Sequence, residues 1–144
     1  MDSTFTEIFT LNFLEGDPEG ALNEPGEVIL DRSTARKYFG EEPAYGKNIY
    51  VFDTIPLTVT GIFEDLPAQS HFHMNMLVSL VTMEGHYNNT QWFNNNYATY
   101  MRLEKGASEE KLEAKLPEFV DKYLYGGDYE EYVDEENYWK LSLQ

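Results

Sequence analysis

Apolar residues recur along this chain in short groups, and the spacing within each group predicts an element. Phe5, Ile8 and Phe9 stand at i, i+3 and i+4, which predicts a short helix with Ser3 as its N-cap. A brief strand is predicted over residues 11–14, followed by two turns, Gly16-Asp17-Pro18-Glu19-Gly20 and Asn23-Glu24-Pro25-Gly26, in which proline presets φ and glycine supplies its positive values. Val28-Ile29-Leu30 reads as a buried strand. Asp31 then caps a helix with the apolar stripe Ala35, Tyr38 and Phe39, and Gly40 ends it.

A hairpin is predicted next, from strands 48–52 and 57–64 joined around Asp53 to Pro56. In its second strand Leu57, Val59, Gly61 and Phe63 alternate with Thr58, Thr60 and Ile62, the period of two of a sheet. Gly61 has no side chain to pack, so it marks a bulge or a close backbone approach. Further strands are predicted over 74–81 and, by alternation of Tyr97, Thr99, Met101 and Leu103, over 97–104. The clearest helix starts at Ser108, with Glu109 and Glu110 favouring its dipole, and carries the stripe Leu112, Leu116, Phe119, Val120, Tyr123 and Leu124 up to Gly126-Gly127. Pro117 lies inside it and should kink or split it. A last strand is expected over 138–143. The pattern lacks the regular spacing of a doubly wound fold and indicates an α+β class, with short helices packed on a mixed or mostly antiparallel sheet and an inserted or appended lobe.

Charge narrows the function classes. The chain has 144 residues, with 26 acids against 10 bases and a net charge of -16. The acids are spread, 13 in residues 1–72 and 13 in residues 73–144, so no tail explains them. Such a balance argues against clamping nucleic-acid phosphates or docking on anionic lipid. An aromatic content of 15% argues equally against a disordered acidic chain. The densest block, Asp128 to Glu136, holds six acids without the alternate spacing and mid-loop glycine of a calcium loop, and reads as a solvated face. Zero cysteines exclude a disulfide framework, a thiolate zinc site and a cysteine nucleophile. No apolar stretch approaches the ~18 residues of a spanning helix.

Candidate chemistry is sparse. His71 and His73, two apart, would point to one side of an extended segment as metal ligands can, but two imidazoles are an incomplete site and His86 lies in a separate loop. A polar strand entry is the plainer reading. No glycine-flanked serine supports a hydrolase triad, and the turn at Gly16 to Gly20 lacks the lysine and hydroxyl residue of a phosphate loop. The segment 87–100 is rich in aromatics and asparagine. Stacking of Trp92, Phe93 and Tyr97 on sugar rings, with amides serving hydroxyls, makes a secreted or surface carbohydrate- or peptide-binding module the alternative function. No cofactor is expected.

Three stretches in order resemble a known family, the periplasmic core domain of MacB-like and FtsX-like ABC transporter permeases. They are Phe5-Thr6-Glu7-Ile8-Phe9 with Phe13-Leu14-Glu15-Gly16-Asp17-Pro18 and Ala21-Leu22; Val28-Ile29-Leu30 with Ala35-Arg36-Lys37-Tyr38-Phe39-Gly40 and Gly46-Lys47; and Val59-Thr60-Gly61-Ile62-Phe63-Glu64-Asp65-Leu66-Pro67 with Ser70-His71-Phe72. One departure is Pro43-Ala44-Tyr45, where the family has an acidic residue, a proline and an aliphatic residue before the glycine. The resemblance implies a core region over 1–82 and a second lobe over 83–144, the latter comprising a strand, a proline-containing helix and an acidic segment. It further implies a non-catalytic domain on the periplasmic face of the inner membrane, lying between membrane helices of its parent. An ABC ATPase subunit or domain would be its partner through the parent permease, and a periplasmic adaptor or lipoprotein a second one. The parent would be dimeric and the isolated domain monomeric.

For the two histidines the expected outcome is that zinc, nickel or copper leaves the melting temperature unchanged. A metal-dependent rise would establish a site at His71 and His73.

Overall fold

The computed structural model describes residues 1–83 and 98–125. The chain divides into two compact units, Met1–Asn88 and Asn89–Gln144. In the first, the element order is α1 (Phe5–Ile8), β1 (Phe13–Gly16), β2 (Glu27–Asp31), α2 (Arg32–Phe39), β3 (Asn48–Val51), β4 (Ile55–Phe63), β5 (Met76–Val78) and a 3-10 turn over Leu80–Met83. The fold is α+β, and its sheet is mixed: the order is β1-β4-β2-β5, with β3 also pairing β4. β2 runs parallel to β4, and the other pairs are antiparallel. β3 and β1 share one edge of β4 end to end, β3 alongside residues 55–58 and β1 alongside residues 61–63.

Both faces of this sheet are covered. On one, Val28, Leu30, Leu57, Val59 and Ile62 pack with Ala35 of α2, Ala44 and Ile49. On the other, Ile29, Phe63 and Leu77 pack with Phe5, Ala21 and Leu22 from the N-terminal segment, and the rings of Phe5, Phe9 and Phe72 meet at 4.7–5.7 Å between centroids. This is why β2 reads as an unbroken apolar run: its alternate residues serve opposite cores. Each such buried side chain contributes roughly 1.5–3 kcal/mol, more than the ~1 kcal/mol of one hydrogen bond, so packing sets the register.

The register carries a displacement in β4. Val28 pairs Val59, but Ile29 pairs Gly61, which leaves Thr60 as an extra residue. Strict alternation would put Leu57, Val59, Gly61 and Phe63 on one face. The bulge switches the phase instead, so that Ile62 joins Leu57 and Val59 while Gly61 and Phe63 face the second core. A β-carbon on Gly61 would lie 2.7 Å from the Phe13 ring and 2.9 Å from Ile29 Cγ2; one on Gly16, its partner in β1, would lie 2.4 Å from the Thr60 carbonyl oxygen. Gly61 is thus both bulge and close approach. The bulge leaves the Thr60 hydroxyl buried without a hydrogen-bond partner among the described residues.

Two carboxylates hold the start of α2. Asp31, only 2% exposed, accepts from the Thr34 N–H at 2.6 Å and from Asn75 Nδ2 at 2.6 Å, and its own N–H donates to the Asn75 carbonyl. Asp65, following β4, accepts from the Ser33 N–H at 2.9 Å and the Ser33 hydroxyl at 2.7 Å. The bond from the Ser33 N–H, then that from its hydroxyl, hold the Asp65 carboxyl below its ordinary pKa, with a smaller contribution from Arg32.

Several elements differ from their sequence patterns. α1 is not capped by Ser3. Its first turn is held by Asp2, whose carboxylate accepts from the Thr4 N–H and hydroxyl. The first strand lies two residues later than expected. Tyr38 is exposed rather than part of the α2 stripe. β5 stops at Val78, because the Ser79 hydroxyl turns inward to the Leu22 carbonyl and the chain enters the 3-10 turn. Residues 98–104 form no strand, since no neighbouring strand pairs with them among the described residues. In the second unit, α3 (Glu109–Glu113) is capped by the Ser108 side chain on the Lys111 N–H, and α4 (Leu116–Leu124) follows with Pro117 in its first turn, the split expected of that proline. The acidic block 128–136, the stop at Gly126-Gly127 and the expected strand 138–143 lie outside the described residues.

Two outcomes follow from this packing. Gly61→Ala should cost about 1–3 kcal/mol by overpacking and Gly16→Ala more, because a β-carbon there meets backbone and the residue sits at φ 91°; urea unfolding measures both, and an unchanged midpoint for either contradicts the close approach. Because the folded-state pKa of Asp65 is depressed, its contribution is present above the unfolded value near 4 and is lost as pH falls from there through the lower folded-state value. Asp65→Asn should therefore melt lower than the parent at pH 7, with a gap that narrows below about pH 4; a gap constant from pH 7 to pH 3 would rule this out.

Candidate interaction surfaces

His71 and His73 flank Phe72, which points into the aromatic cluster at α1, and both imidazoles are exposed. The His71 ring stands edge-on to Phe72 at 4.9 Å. Among the described residues no group of three His, Cys, Asp or Glu side chains converges as metal ligands would. His86, Trp92, Phe93 and Tyr97 lie outside the described residues, as does most of the segment 87–100. Tyr100, at its end, is exposed.

The remaining chemistry of the first unit concentrates in two places. All of the bases in residues 1–88, Arg32, Arg36, Lys37 and Lys47, fall on α2 and the turn after it. A cleft of about 320 Å³ opens there, with Leu14, Ala35, Ala44 and Ile62 as apolar lining and Arg32, Arg36, Glu15, Glu41 and Glu42 as charged lining. Two of its acids are paired: Arg36 Nη2 lies 3.2 Å from Glu41, and Lys47 Nζ donates to Glu42 at 2.5 Å while standing 5.4 Å from the centre of the Phe39 ring. The Lys47 bond and charge hold the Glu42 carboxyl below its ordinary pKa. The turn itself survives the departure at Pro43-Ala44-Tyr45. Ala44 is buried, Gly46 takes φ 77°, and the Gly46 N–H reaches the Val59 carbonyl at 2.8 Å.

The second place is the β3–β4 hairpin. Phe52 is 85% exposed at its apex, with Tyr50 64% exposed on β3 and Ile55 exposed at the start of β4. Phe52 and Asp53 have φ 52° and 58°, and the Thr54 N–H returns to the Val51 carbonyl, a tight turn with two left-handed residues. Left-handed backbone costs a non-glycine residue roughly 1–2 kcal/mol. An exposed phenylalanine at such a position adds little to the packing of the fold. The sequence pattern places Phe52 in the strand 48–52 and the turn at Asp53 to Pro56, whereas β3 ends at Val51 and β4 begins at Ile55, so the apex did not stand out. The available signal was an aromatic residue placed where asparagine or glycine is usual.

A family model described as MacB-like periplasmic core domain matches residues 1–119. Among solved structures, a domain of a protein described as a permease from Porphyromonas gingivalis superposes with a TM-score of 0.70 at 29% sequence identity, over 84% of this chain and 56% of that one. The periplasmic region of MacB from Actinobacillus actinomycetemcomitans shares the fold, with a TM-score of 0.57 at 18% identity over 87% of this chain and 55% of that one. The chain therefore spans little more than half the length of these structures. No curated protein matches it.

Proposed function

The chain belongs to the MacB-like periplasmic core domain family, and from that premise we propose that it is the extracytoplasmic domain of an ABC transporter permease, without catalysis of its own. The match over residues 1–119 carries this reading, and the agreement of the fold with a permease domain supports it. In this reading ATP is hydrolysed by a separate ATPase subunit or domain. Membrane helices of the parent pass the resulting motion to this domain, on the periplasmic face of the inner membrane. The domain then helps export or release a substrate such as a lipoprotein, lipid, peptide or drug, alongside a periplasmic adaptor or lipoprotein. The parent permease is a dimer, while the isolated domain, at a net charge of -16, stays monomeric through mutual repulsion.

The physical character of the first unit suits transmission of displacement. Its sheet is packed on both faces, and both the α2 N-terminus and the β5 entry are tied to β2 through Asp31. A body held together in that way moves as a unit, as coupling by rigid-body motion requires. Among the described residues no helix is long and apolar enough to cross a membrane, so membrane attachment in this reading belongs to other parts of the parent.

Topology in whole cells tests the proposal. The chain has no native cysteine, so Tyr45→Cys, at an exposed position, gives a single reporter within it. In the intact parent protein this thiol should react with a membrane-impermeant maleimide before lysis, and the parent reading frame should encode flanking apolar segments of ~20 residues. Labelling only after lysis, or a parent with a lone signal peptide and no later span, would overturn it.

A further inference from the structure

We propose that the outer edge of β3 is a docking edge, onto which an extended segment of a partner protein, apolar with basic flanks, adds as a further strand beside the Phe52 apex. The inference rests on the sheet edge and stands whether or not the parent is a transporter.

Among the described residues three strands of the sheet have an outer edge, and they are treated differently. β1 is blunted by a register shift between Phe13 and Glu15, by the Glu15 charge and by Gly16. β5 has Met1 against its end, where the Leu80 N–H donates to the Met1 carbonyl and the Met1 amino group donates to the Val78 carbonyl. β3 has none of these protections. Asn48-Ile49-Tyr50-Val51 is regular, uncharged and free of proline, the composition that natural proteins avoid on an edge meant to stay bare.

The hydrogen-bonding groups on that edge can be identified. Pro56 has no N–H, and the Thr58 N–H donates to the Gly26 carbonyl on the β2 side. Tyr50–Pro56 and Asn48–Thr58 are therefore the pairs that exchange no ladder bonds, and the N–H and C=O of Asn48 and Tyr50 point away from β4. These four groups have no partner among the described residues. A row of alternating donors and acceptors at strand spacing is matched by another extended backbone. Phe52 and Tyr50 then supply the exposed aromatic surface that anchors such a strand. Charge selects the flanks. Asp53, at the apex, is the hairpin's only charge, and Lys47, which precedes β3, is engaged by Glu42, so a segment with a basic end is attracted at the apex, whereas a second copy of this chain at -16 is repelled.

Hydrogen exchange of the Asn48 and Tyr50 amides reads this edge directly. The probe is the capped peptide Lys-Thr-Val-Thr-Val-Lys at millimolar concentration, compared with its fully N-methylated form and with a form bearing Glu in place of Lys. The expected result is at least fivefold slower exchange at both amides with the basic peptide, and little change with the other two. Phe52→Ser should remove most of this protection, and Asp53→Lys should reverse the preference between basic and acidic peptides. Absence of protection, or equal protection by the N-methylated peptide, overturns the proposal. So does protection that grows with protein concentration alone, the mark of a second copy, or that arises only with phosphatidylcholine–phosphatidylglycerol vesicles, the mark of a bilayer.

Discussion

The displaced register at Thr60 in β4 is the constraint on which the rest of this sheet depends. β4 pairs with β1, β2 and β3, so any change in its phase is felt by every strand but β5. One extra residue moves Ile62 to the face of Leu57 and Val59 and leaves Gly61 beneath Phe13 and Ile29. The cost is local: a buried Thr60 hydroxyl without a partner among the described residues is worth roughly 1–3 kcal/mol against folding. Ile62 and Phe63, being adjacent, face opposite sides with or without the bulge; what the bulge decides is the assignment, Ile62 to the core of Leu57 and Val59 and Phe63 to the core of Ile29 and Leu77.

The rest of the first unit is arranged around this seam. Gly16 and Gly61 let β1 approach β4 closely, and β1 in turn brings Leu14 and Glu15 to the rim of the α2 cleft. Asp31 ends the central strand and begins α2, so the same buried carboxylate fixes a helix to the sheet and, through Asn75, fixes the entry to β5. Against this tightly tied body the β3–β4 hairpin is the exception. Its apex contributes exposed aromatic surface and left-handed backbone, neither of which stabilises the fold.

Legibility from the sequence followed the range of the interaction involved. Asp31 and Ser108 were recognisable as caps because a cap bonds to an N–H only three residues on. Pro117 divided its helix for an equally local reason, the missing N–H and the ring's clash with the preceding turn. Gly61 was recognisable as a bulge or close approach because an empty position in an apolar strand requires one. Where the partner lay far away, local pattern misled. The alternation over 97–104 resembled a strand, yet residues 98–104 have no strand beside them among the described residues; Tyr38 had helical spacing but is exposed.

Composition, caps and turn residues, all set by neighbours in the chain, thus determined the class of fold, most element positions and the family resemblance. The amino-acid order could not decide which residues of β4 face which core, because period-two alternation is silent about an inserted bulge. That choice was made by volumes contributed from β1, β2 and β5, tens of residues away. The same holds for the hairpin edge. Asn48 and Tyr50 read as ordinary strand residues until pairing with Pro56 and Thr58 turns their backbone groups outward. A strand's free edge is a property of its neighbours, and neighbours exist only once the sheet has formed.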